Sequence, residues 1–223
     1  KDIEIIKTMG ANIIRFAHYP QTRELYDLCD KLGILVWTEI PIVNKVTDSD
    51  AFFEVSLNMQ NENVKQYYNY PSVIMFGYMN EIFLRSAFDE KSTVEEKEAI
   101  KKSSLKLATQ LENLTRKLAP NHITVMACHL NELYNETGIA DLPMLLGWNL
   151  YFGWYDKDIS DLGLFLDDQH KRYPNRSMLL SEYGPGADAR IFTKIPKKFD
   201  FSIDYQAKLH QSYYKQITER PFM

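Results

Sequence analysis

Short apolar runs alternate along this chain with longer stretches in which apolar positions recur at helical spacing. The short runs at 12–16 (NIIRF), 34–37 (ILVW), 73–79 (VIMFGYM), 123–127 (ITVMA), 144–150 (MLLGWNL) and 178–181 (MLLS) read as strands buried on both faces. Between them, residues 2–9, 23–32, 50–68, 93–118, 158–173 and 203–219 read as helices. Gly10 and Gly33 stop the first two, Pro71 follows the break after the third, Pro120 follows the fourth and Pro174 breaks the fifth. Strand followed by helix, repeated, predicts a parallel sheet. The strands are far enough apart for crossover connections. The first helix has no strand ahead of it and the last none behind it, so an eight-strand barrel would need one more strand at each end.

Two of the apolar runs end on a single glutamate. The first, PSVIMFGYMNE, closes on Glu81; the second, SMLLSEYG, contains Glu182. A carboxylate at the C-terminal tip of a buried parallel strand sits where barrel enzymes keep their chemistry. Two such residues from different strands make a candidate acid and nucleophile for breaking a glycosidic bond. Glu39 also follows a strand, and its expected role is to anchor a neighbouring Arg or Asn. The charge run EEKEAIKK reads as a solvated helix face.

Composition narrows the partners. With 223 residues and a net charge of −4, the chain has room for a large core but no basic field for phosphate backbones, so nucleic acid is not expected. No apolar run approaches the roughly 20 residues of a membrane helix. The two cysteines, Cys29 and Cys128, have neither metal-ligand spacing nor a disulfide pattern.

Four elements together resemble glycoside hydrolase family 2, which holds β-galactosidases, β-glucuronidases and β-mannosidases. They are RFAHYPQTRELYDLCDKLGILVWTEIP at 15–41, Asn80-Glu81, Asn149-x-Tyr151-x-Gly153-Trp154-Tyr155, and Ser181-Glu182-Tyr183-Gly184, in the family's order. The resemblance implies an α/β fold, the (β/α)8 TIM barrel. Residues 1–223 would form one partial domain carrying strands two to seven, with the first and eighth missing. It implies Glu81 as general acid/base and Glu182 as nucleophile of a retaining β-glycosidase. Arg15, His18, Asn80, Asn149, Tyr151 and Trp154 would bind or frame the sugar, with Tyr151 approaching the nucleophile and Trp154 bracing the site. His129 and Asn131, after the fifth strand of such a barrel, either touch sugar or line a solvated loop.

The loop after Glu182 resembles bacterial β-galactosidases, making that activity the leading expectation and β-glucuronidase the alternative. The β-galactosidase branch has a histidine three residues past its nucleophile, where this chain has Pro185. The Mg²⁺ site of large β-galactosidases uses a histidine that this chain lacks between Pro41 and Glu81. No metal and no cofactor is therefore expected. Asp156, Asp158 and Asp161 read as opening the following helix rather than as ligands. The partner is a carbohydrate, and exported bacterial relatives suggest a periplasmic or secreted parent. A different class of reading is a non-catalytic sugar-binding piece that self-associates through unpaired sheet edges.

Overall fold

The computed structural model describes residues 1–87 and 92–223. The backbone divides into two compact units, 1–146 and 147–223.

In the first unit four strands lie parallel in chain order: β1 (Ile13–Phe16), β2 (Leu35–Glu39), β3 (Val73–Asn80) and β4 (Ile123–His129). The connecting helices are α1 (Asp2–Thr8), α2 (Arg23–Leu32), α3 (Asp50–Tyr67), α4 (Leu84–Ala87) and α5 (Val94–Leu118), with α6 (Leu133–Glu136) and a 3-10 turn at Ile139–Asp141 after β4. Gly33 ends α2 at φ 64°, the left-handed conformation that favours glycine, and its amide caps the Asp30 and Cys29 carbonyls. Thr93 opens α5 with a capping box: its hydroxyl accepts from the Glu96 amide, and the Glu96 carboxylate accepts from the Thr93 amide.

One face of these strands is dry. Phe16, Tyr26, Ile34, Val36, Tyr67 and Phe76 pack together as a buried cluster under α2 and α3. Tyr26 stacks on Tyr67 with centroids 4.0 Å apart, and its hydroxyl meets the Thr38 hydroxyl at 2.7 Å. The buried phenol is thus satisfied while its ring adds apolar area to the core.

The second unit holds α7 (Asp161–Arg172), β6 (Met178–Glu182) and α8 (Ile203–Thr218), together with the greater part of β5 (Leu145–Asn149), which the division crosses in sequence. Leu162 and Leu166 of α7 and Tyr205, Leu209 and Tyr213 of α8 are buried. The Gln216 side chain accepts from the Gly163 amide at 2.8 Å and donates to the Ile159 carbonyl at 2.9 Å, tying α8 to the start of α7. Arg220 clamps Asp167 through two bonds of 2.7 and 2.8 Å.

The strands outrun the sequence expectation at their C-terminal ends. β2 reaches Glu39, β3 Asn80, β4 His129 and β6 Glu182. Hydrophobicity stops where these polar residues begin, but the backbone pairing does not. The Asn80 amide donates to the Ile42 carbonyl, and the Glu81 amide to the Ala127 carbonyl, each at 2.9 Å. Conversely α7 starts at Asp161, not at 158, because Asp158 and its neighbours form a turn in which Asp161 accepts the Asp158 amide at 3.0 Å. Among the described residues, no helix is long and apolar enough to cross a membrane.

Candidate active site

At the ends of β1, β2 and β3, the first unit assembles a compact ionic cluster. Arg15 is the hub. Its Nε donates to Glu39 Oε2 at 3.0 Å and its Nη2 to Glu39 Oε1 at 2.8 Å, a bidentate grip. The same Nη2 donates to Asn80 Oδ1 at 2.9 Å, fixing which way that amide faces. His18 Nδ1 lies 3.2 Å from Glu39 Oε1 and 3.5 Å from Arg15 Nη2. The nearer carboxylate can only accept, so Nδ1 is assigned the proton and donates it to Glu39. The Arg15 guanidinium lies 4.5 Å from the centre of the Trp37 ring. Glu39 is therefore the anchor expected from the sequence, with only 2% of its side chain exposed.

Register explains why a glycine sits inside β3. Gly77 pairs opposite Glu39, and a Cβ there would come within 2.4 Å of Trp37 Nε1 and 2.9 Å of Glu39 Cβ. Gly77 thus leaves the space in which Trp37 and Glu39 sit against the strand.

Glu81 directly follows this cluster. Its φ is +52°, a left-handed backbone that costs a residue with a Cβ roughly 1–2 kcal/mol. Bonds on both sides maintain it: the Glu81 amide to Ala127, and the Leu84 amide to the Glu81 carbonyl at 2.8 Å.

Beyond Glu81 lies a second polar group, made of neutral side chains. The Phe83 amide donates to the Tyr134 hydroxyl at 3.4 Å, and that hydroxyl is 3.0 Å from His129 Nδ1. His129 Nε2 faces Asn131 Nδ2 at 3.4 Å, while Asn131 Oδ1 accepts the Leu133 amide at 3.0 Å. Burial pushes the His129 imidazole down to about 4, so it is neutral at physiological pH. His129 ends β4 and Asn131 follows in the loop, the two bonded to one another. Tyr134 escaped sequence reading because a four-residue helix has no periodicity to reveal a buried tyrosine.

In the second unit, Tyr151 donates its hydroxyl proton to Glu182 Oε2 at 2.9 Å. The Leu150 amide donates to the Glu182 carbonyl at 2.9 Å, and Ser181 Oγ donates to Asn149 Oδ1 at 2.6 Å. Asn149, Tyr151 and Glu182 are thus brought together. Trp154 is buried among Phe199, Phe201 and Tyr205, with ring centroids at 4.7, 5.1 and 6.0 Å. Its ring packs beneath the 149–155 turn, whose Gly153 carbonyl accepts the Tyr205 hydroxyl. The Tyr213 hydroxyl donates to the Leu150 and Phe152 carbonyls at 3.2 and 3.0 Å. Two tyrosines from α8 therefore hold the backbone that aims Tyr151. Among the described residues, no group of three or more His, Cys, Asp or Glu is placed to hold a metal ion.

The family profile for glycosyl hydrolases family 2, TIM barrel domain, matches residues 1–221. This chain belongs to glycosyl hydrolase family 2. A β-glucuronidase of Bacteroides fragilis is 29% identical over the whole chain, and the matched region is 31% of that protein. The β-glucuronidase of Mus musculus is 26% identical over 99% of the chain and 32% of its own length. Among solved structures, Bacteroides uniformis β-glucuronidase superposes on all of the chain with a TM-score of 0.95 at 40% identity, using 26% of its own length. A Bacteroides fragilis structure carrying a provisional β-galactosidase name reaches a TM-score of 0.82 at 28% identity, over 99% of the chain and 31% of its own. The chain spans about a third or less of each relative. The β-glucuronidase names favour the alternative over the leading β-galactosidase expectation.

Proposed function

We propose that this chain is the catalytic segment of a retaining β-glucuronidase, with Glu182 as nucleophile and Glu81 as general acid and then base. The observation that carries the uronide reading is the likeness to Bacteroides uniformis β-glucuronidase 2. That protein's structure is described as covalently bound to cyclophellitol-6-carboxylate aziridine, at 40% identity and a TM-score of 0.95 to this chain. A covalent adduct with a carboxylate-bearing sugar mimic is what a nucleophilic, uronate-accepting site would form.

The roles follow from the chemistry. Retaining hydrolysis uses two carboxyl groups roughly 5–5.5 Å apart: one protonates the leaving oxygen, while the other attacks the anomeric carbon and forms a sugar ester. Tyr151 holds one oxygen of Glu182, fixing the rotamer of the attacking group. Once the ester has formed, the nucleophile's negative charge is gone. Glu81, which gave its proton to the departing alcohol as that ester formed, is then ionised and takes a proton from the attacking water. Asn80, locked by Arg15, would read a sugar hydroxyl beside the reacting carbon. Glu39, saturated by Arg15 and His18, keeps that arginine in place.

The test uses the intact protein with 4-nitrophenyl β-D-glucuronide and β-D-galactoside. The glucuronide should be turned over with a kcat/KM at least about a hundredfold higher. A carboxylate-bearing cyclophellitol aziridine should label the peptide containing Glu182. Glu182→Gln should abolish labelling and cut turnover roughly a thousandfold or more. Preference for the galactoside would restore the β-galactosidase reading. Absence of turnover on both sugars, with no labelling, would favour a sugar-binding module.

A further inference from the structure

We propose that Tyr213 is a positioning residue for the nucleophile: from α8 it holds both backbone segments that present the Tyr151–Glu182 pair. The inference rests on reading Glu182 as the nucleophile.

The hydroxyl and the ring of Tyr213 act on different segments. The hydroxyl shares its proton between the Leu150 and Phe152 carbonyls, at 3.2 and 3.0 Å, and so straddles Tyr151. The carbonyl between them is closed as well: Tyr151 accepts the Trp154, Tyr155 and Asp156 amides at 2.9, 3.1 and 3.2 Å. The carbonyls of 150, 151 and 152 are therefore all occupied, and Tyr213 serves the outer two. The ring of Tyr213 stacks on Tyr183, the residue after Glu182, with centroids 5.0 Å apart and planes 11° from parallel. His210, three residues earlier on α8, packs edge-on against the same Tyr183 ring at 5.2 Å.

These two segments meet at the nucleophile. The Leu150 amide joins them by donating to the Glu182 carbonyl, and the Tyr151 hydroxyl joins them again at Glu182 Oε2, each at 2.9 Å. Tyr213 is completely buried, whereas Tyr183 is 42% exposed, so the anchor lies in the core and the anchored side chain reaches the surface. Burial, and then the Asp156 carboxylate, push the Tyr213 phenol above its ordinary range, and it remains a donor at any working pH. A phenylalanine at 213 would keep the stack and lose only the two carbonyl anchors, which isolates the hydroxyl.

The consequence is kinetic. Attack on the anomeric carbon needs the carboxylate oxygen aligned with the bond that breaks, and a misplacement of about 1 Å can cost a hundredfold. Releasing the carbonyls on either side of Tyr151 loosens that residue, and with it the bond that fixes the Glu182 rotamer.

In the intact protein, Tyr213→Phe should slow labelling of Glu182 by the carboxylate-bearing cyclophellitol aziridine by about tenfold, and turnover of 4-nitrophenyl β-D-glucuronide likewise. In a Tyr151→Phe background the bond to Glu182 is already gone, and the same substitution should cost less than about twofold. A merely structural role gives equal factors in the two backgrounds and would overturn the proposal. Tyr183→Leu removes the stack from its half-exposed side and should also slow labelling, while Tyr183→Phe, which keeps a ring there, should recover most of the rate. Should Tyr213→Phe fail to fold, this pair decides: a natural labelling rate in Tyr183→Leu, or a loss that Tyr183→Phe does not recover, overturns the proposal. The natural protein separates this from the underlying reading. If it is labelled at Glu182 and Tyr213→Phe is labelled as fast, the positioning role fails alone. If it is not labelled at Glu182, the nucleophile reading fails and the proposal with it.

Discussion

Two polar clusters flank the Asn80–Glu81 step, and they differ in charge. On one side Arg15, Glu39 and His18 surround Asn80 with an ion pair gripped at 2.8 and 3.0 Å. On the other, Tyr134, His129 and Asn131 make a neutral chain of donors and acceptors. Each has a buried member, Glu39 in the first and Tyr134 in the second. The ionic cluster fixes side chains strongly, but each charge depends on its counter-charge. The neutral cluster avoids that dependence by keeping its histidine uncharged. A strand-end glutamate is thus not informative alone. Glu39 is gripped by the Arg15 guanidinium, whereas Glu182 meets a neutral phenol on Oε2.

The largest test of this contrast removes the counter-charge. Glu39→Ala leaves the Arg15 guanidinium, whose side chain is only 10% exposed, without its principal partner. Breaking a buried pair from one side costs about 3–5 kcal/mol. For a protein region of this size that lowers Tm by roughly 10 °C. Thermal unfolding checks it, with Tyr134→Phe as the neutral-side comparison expected to lose about 1–2 kcal/mol. Equal losses in the two variants would erase the distinction between the clusters.

A smaller effect separates them by pH. Burial lowers the folded-state value of His129 to about 4 from 6.5. Between those values the unfolded chain binds the extra proton and the folded chain does not, so acid favours unfolding. The contribution of His129 is complete above about pH 6.5 and is lost as pH falls toward 4, amounting to about 2 kcal/mol after allowance for partial solvent contact. Denaturant unfolding at pH 7 and pH 4.5 should show a larger drop for the natural protein than for His129→Gln. Identical drops would mean that His129 is not held neutral in the folded state.

Much of this site is legible in the sequence. Apolar runs locate the six strands and helical spacing the long helices; burial on both faces explains the continuous run VIMFGYM of β3, whereas β1 and β6 are only partly covered. The same logic marks Glu81 and Glu182 as polar residues interrupting buried strands. What escapes it is set by backbone bonding and by contacts between distant residues. β2 continues to Glu39 because its carboxylate is neutralised by Arg15, a pairing across 24 positions that no local pattern contains. The helices α4 and α6, four residues each, are too short to show a period. Tyr134 belongs to α6, so the residue that links His129 to the Glu81 turn is the one least visible beforehand. Gly77 reads as an ordinary strand glycine until Trp37 and Glu39 are seen against it.

The smallest effect tests the backbone between the two clusters. Glu81 adopts φ +52°, and glycine takes that conformation without the steric cost borne by a residue with a Cβ. Glu81→Gly and Glu81→Ala both delete the carboxyl, so side-chain chemistry cancels in their comparison. The glycine variant gains relief in the folded state but loses some of it to the greater entropy of its unfolded chain. The net expectation is that Glu81→Gly is more stable than Glu81→Ala by about 1 kcal/mol in denaturant unfolding. The reverse order would mean that the turn relaxes to negative φ once the carboxyl is gone, and that Glu81's own side-chain contacts, rather than the amide bonds to Ala127 and from Leu84, impose the left-handed geometry.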